Sequence, residues 1–197
     1  MRIEYMLSRE AYPAPLIRVE VAGLEKSELP NISGAISING QEEVDISLTL
    51  IANDVVRIQG QRIDLAVSAH GNALKSPSAS VFHLLVGISF APGLIGVDWE
   101  DVCSLLAAGS NGALTSIAIG QDVIFEPLIR DLVEPLQGEV RAIIACLYLP
   151  EAKFFSSSVG VVNELIKGFE GITGEFVLGV PIVTTDVPIL SLMLITD

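Results

Sequence analysis

The chain has 197 residues, half of them hydrophobic and only 18% charged, with a formal charge of −13 and a mean hydropathy of +0.58. That length suits one large domain or two small ones with a real core. The negative charge disfavours phosphate backbones and anionic membrane surfaces, so neither nucleic acid nor membrane is expected as a partner.

The first segment reads as strands. Ile3, Tyr5 and Leu7 alternate with polar residues, Tyr12-Pro13-Ala14-Pro15 interrupts, and Ile17, Val19 and Val21 alternate again. Ser33 to Ile38 leads into Asn39-Gly40, a strong hairpin signal. Its predicted return strand sets Val44, Ile46, Leu48 and Leu50 on one face and Asp45, Ser47 and Thr49 on the other. Asn53-Asp54 turns the chain into Val56 and Ile58, and Gly60 turns it into Ile63, Leu65 and Val67. The pattern predicts an antiparallel, β-rich N-terminal domain over 1–75 with one wet face. His70 to Ser80, small and polar, reads as a connector.

Val81 to Phe90 is a short, nearly all-apolar segment that breaks at Pro92-Gly93. Asp98 and Asp101 then stand at the spacing of a helix's first turn. There Asp98 is placed to accept a backbone N–H and the dipole favours both carboxylates. Val102, Leu105 and Leu106 recur at helical spacing, and Gly109 is placed to end the helix. Asn111-Gly112 predicts a turn and Ala113 to Ile119 a strand. Asp122 is a cap candidate for a helix with Ile124, Leu128, Ile129, Leu132 and Val133 on one face, closed by Pro135.

Glu139 to Leu149 suits a central strand covered on both faces. One of Ser156, Ser157 and Ser158 can cap a helix carrying Val159, Val162, Leu165, Ile166 and Phe169 on one side, with Gly168 and Gly171 at its end. Gly174 to Val183 and Val187 to Ile195 read as a closing antiparallel pair turned at Thr184-Thr185-Asp186. Helices alternating with strands over a second domain, 81–197, give an α+β chain with helices packed on a mixed sheet.

Few residues point to chemistry. Cys103 and Cys146 form no C-x-x-C pair and share no ligand spacing with His70 or His83, so two reduced core thiols are expected and no metal. The run Val81 to Val97 holds His83, Pro92 and several glycines and serines and does not read as a membrane span. No basic-then-apolar leader opens the sequence, and the expected location is cytoplasmic. The surplus of apolar surface predicts a homo-oligomer. Trp99, the only tryptophan, suits either an interface anchor or a core position.

The stretch Pro92 to Val102, PGLIGVDWEDV, resembles the loop with which FtsZ and tubulin-type GTPases complete the active site of the next subunit, roughly P-G-L-I-N-x-D-x-x-D-V. Gly120-Gln121-Asp122 resembles that family's Gly-Glu-Asp or Gly-Glu-Asn turn, so the resemblance covers residues 81–197 and implies an FtsZ C-terminal-like domain. It implies that Asp98 and Asp101 are catalytic toward a neighbour's nucleotide, positioning the water that attacks the γ-phosphate. It also implies an interface at Leu94, Ile95, Gly96 and Trp99. Gly96 stands where the family has Asn. The family's G-G-G-T-G-T/S-G phosphate loop is nowhere in these residues, so no nucleotide cofactor is expected. The expected function is a non-GTPase assembly or regulatory protein that self-associates or docks its 92–101 loop on a tubulin-like GTPase. The alternative is a small-molecule-binding protein or enzyme that reuses the domain, with a pocket near that loop.

Overall fold

Alternation of apolar and polar residues becomes strand, and 3.6-residue recurrence becomes helix, in nearly the expected order. The computed structural model describes residues 4–5, 17–20, 36–38, 46–52, 54–70, 77–91, 93–120, 124–133, 139–151 and 158–197. Six strands come first: β1 (Glu4–Tyr5), β2 (Ile17–Glu20), β3 (Ile36–Ile38), β4 (Ile46–Ala52), β5 (Val55–Gly60) and β6 (Ile63–His70). Helix α1 (Pro77–Phe90), strand β7 (Gly93–Ile95), helix α2 (Trp99–Leu106) and strand β8 (Asn111–Ala118) follow. The chain continues through α3 (Phe125–Val133), β9 (Val140–Pro150), α4 (Ser158–Gly168), β10 (Glu175–Thr184) and β11 (Ile189–Thr196). The described strands form one mixed sheet in the order β1-β10-β9-β11-β8-β6-β5-β4-β2-β3, with β7 also on β10. The N-terminal strands therefore extend the C-terminal sheet, through a parallel β6–β8 pairing that matches Ala66 with Asn111 and His70 with Thr115.

Two cores lie on opposite faces of this sheet. On β9, Ala142, Ile144, Cys146 and Tyr148 enter the first, and Ile143, Ala145 and Leu147 the second, which is the period of a strand buried on both sides. Helices α1 and α2 supply the first core, through Val81 to Ile88 and through Val102, Leu105 and Leu106. Phe125 and Ile129 of α3, and Val162 and Leu165 of α4, supply the second. β4, β5 and β6 contribute to the first core alone, so their other face is wet. There Arg57 Nε lies 2.7 Å from Asp64 Oδ1. One face covered and one open is what the alternation over these strands demands.

Small residues let α1 sit low on the sheet. Ser116, Ser191, Cys146 and Gly179 form a row across β8, β11, β9 and β10. A Cβ on Gly179 would lie 2.6 Å from Ile88 Cγ1, and one on Gly87 of α1 would lie 2.6 Å from Tyr148 Cε1. Inside the row the Ser116 and Ser191 hydroxyls, both buried, are 2.7 Å apart. Ser191→Ala should therefore cost about 1–3 kcal/mol by leaving the Ser116 hydroxyl without that partner. The Ser116→Ala/Ser191→Ala double variant should lose less than the sum of the singles. Urea unfolding of the four proteins measures this, and strict additivity would refute the coupling.

Several local expectations need correction. β3 and β4 do not form a hairpin: β2 lies between them, parallel to both, and Asn39-Gly40 itself is outside the described residues. β1 joins no N-terminal meander but pairs with β10 across the sheet. β10 and β11 do not close as a pair, because β9 lies between them, parallel to β10 and antiparallel to β11. Asn111-Gly112 starts β8 instead of turning the chain. Helix α2 ends at Leu106. Gly109 instead passes so close to the Thr196 carbonyl that a Cβ would not fit. Ile124 and Ile166 lie outside the buried faces given to them, at 70% and 42% exposure. Pro92, Gln121, Asp122 and Pro135 lie outside the described residues, as do Ser156 and Ser157.

Candidate functional site

Residues 93–101 sit at the edge of β10. β7 pairs there antiparallel, Ile95 with Val180 and Gly93 with Pro181, across a register shift. The backbones are so close that a Cβ on Gly93 would lie 2.7 Å from Pro181 Cα, so only glycine passes. The chain then keeps its extended alternation. Ile95 is half-buried against the second core, and Val97 and Trp99 against the first. The Val97 N–H donates to the Ile88 carbonyl at 3.4 Å, tying the segment to the end of α1. Between these anchors Leu94, Gly96, Asp98 and Glu100 all face outward.

Asp98 is the N-cap of α2 by backbone geometry (φ −68°, ψ 142°), and its carbonyl accepts from Val102 N–H at 3.2 Å. Its side chain makes no capping bond, contrary to the sequence expectation. The carboxylate is exposed, where water competes for it. Asp101 and Glu100 are exposed as well, and all three carboxylates lie at the positive end of α2. Because the side-chain bond is missing, Asp98→Ala should change stability by less than about 0.5 kcal/mol, below the usual loss for a side-chain cap. A melting curve decides this; a loss typical of a cap would restore the capping role.

Gly96 has no described atom within 4 Å of where a Cβ would stand, and it is not among the glycines with positive φ. The fold does not demand glycine there, so the position tolerates a side chain. Trp99 packs on the first core beside Cys103, while Leu94 is 42% exposed. Leu94, Gly96, Asp98 and Asp101 are thus exposed, while Ile95 and Trp99 are half-buried against the cores. Glu100, which the spacing argument did not single out, is exposed beside Asp101 in the first turn of α2.

Cys146 is buried and its thiol is pushed up by burial, with a smaller opposing effect from the Tyr148 hydroxyl. Cys103 is half-buried. Among the described residues no three His, Cys, Asp or Glu side chains gather as a metal site, and no helix is long and apolar enough to cross a membrane.

No family model matches the chain, and no curated protein does. Solved structures of similar fold include an FtsZ variant from M. jannaschii, at 16% identity and a TM-score of 0.46, matching 61% of this chain and 39% of that one. TubZ of Bacillus thuringiensis serovar israelensis, in a GTPγS-form protofilament, matches at 15% identity and a TM-score of 0.43, over 60% of this chain and 34% of that one. CetZ from Methanosaeta thermophila matches at 15% identity and a TM-score of 0.42, over 60% of this chain and 35% of that one. The likeness is one of fold, to a part of these FtsZ/tubulin-like structures, and the chain spans between 34% and 39% of their length.

Proposed function

We propose that the chain is a non-GTPase assembly or regulatory protein that acts by docking the segment 92–101 on a second copy or on a tubulin-like GTPase. The observation that carries this reading is the alternation along 94–100. One set of side chains packs half-buried against the two cores and the other faces outward, so the backbone of the segment is held in place before a partner arrives. Leu94 and Gly96 supply the contact, Ile95 and Trp99 hold it from behind, and Asp98 and Asp101 reach the partner's nucleotide. The resemblance of PGLIGVDWEDV to the FtsZ loop supports these roles, and the TubZ structure is described as a protofilament. The 197 residues contain no glycine-rich phosphate loop, so the proposal leaves the nucleotide with the partner. Residues 81–197 form the docking unit in this reading, and β4, β5 and β6 of the 1–75 domain extend its sheet.

The steric probe is Gly96→Trp, at an exposed position where a Cβ meets nothing within 4 Å in the folded chain and a bulky side chain would obstruct a close interface. It should leave the melting temperature nearly unchanged and weaken self-association, read by light scattering, about tenfold or more. Asp98→Asn and Asp101→Asn should fold normally and abolish any stimulation of a tubulin-like partner's GTPase. A wild type that stays monomeric at high concentration and leaves the partner's rate unchanged would sink the proposal.

A further inference from the structure

We draw no further inference here: the strongest candidate, the surface patch of exposed Ile124, Ile166 and Phe176 beside α3, α4 and the start of β10, carries nothing because nothing in the structure shows what covers it.

Discussion

Gly179→Ala is expected to destabilise the fold by about 1–3 kcal/mol, a shift of roughly 2–4 °C in melting temperature for each kcal/mol. The new Cβ would stand 2.6 Å from Ile88 Cγ1, 3.2 Å from Ile88 Cβ and 2.9 Å from Ile88 Cα. A rotamer change relieves only the first of these. The last is a clash with backbone, so α1 itself must lift away from the sheet and loosen the packing of its neighbours. Adding Ile88→Ala to Gly179→Ala should therefore recover only part of the loss, since it removes Cγ1 and leaves the backbone of residue 88 in place. On its own Ile88→Ala opens a cavity and should cost about 2–5 kcal/mol. Thermal melts of the two singles and the double test the close seating of α1. A Gly179→Ala protein as stable as the wild type would disprove it.

The second large effect depends on pH. His83 lies in α1, 5% exposed, edge-on to Phe82, and burial lowers its pKa from 6.5 to about 4. Above about pH 6.5 the imidazole is neutral in both the folded and the unfolded chain, and stability does not respond to it. As pH falls, the unfolded chain takes up a proton that the folded chain refuses, so stability declines between about 6.5 and about 4, by on the order of 3 kcal/mol in full. His83→Leu should remove that slope. Asp64 beside Arg57 and Asp197 beside Arg141 are held below the usual carboxylate range by those guanidiniums. Their contribution is present above that range and lost below it, and the His83 variant should leave it in place. Unfolding curves of both proteins across this range make the comparison. Parallel declines would remove His83 from the account.

What the sequence showed depended on how local the determinant was. Val56, Ile58, Leu65 and Val67 announce β5 and β6 because a strand with one wet face must alternate. The run Glu139 to Leu149 announces β9 because its nearly continuous apolar character and the β-branched residues near its start suit a strand covered on both faces. Val102, Leu105 and Leu106 fix α2 in the same way. Strand partners are another matter. Nothing in Ile189 to Thr196 says that its neighbours are β8 and β9 instead of β10, because a strand buried on both faces suits any central place. The Asn39-Gly40 signal reports only what a tight turn prefers, and it does not tell that β2 lies between β3 and β4. At the candidate site the acidic start of α2 was legible from spacing. Whether the Asp98 carboxylate bonds the backbone or stays in water depends on a side-chain choice that spacing does not encode. Gly109 was ambiguous for a related reason: a helix end and a close approach of distant chain both call for glycine.

The position of β11 in the sheet has a consequence for biosynthesis. A nascent chain leaving the ribosome delivers β8 and β9 long before the strand that joins them, and β11 pairs with both, from Ile189 to Thr196. Before β11 emerges, β8 and β9 each lack the strand that pairs with them on that edge. A chain arrested before β11 carries two unpartnered edges able to recruit other strands.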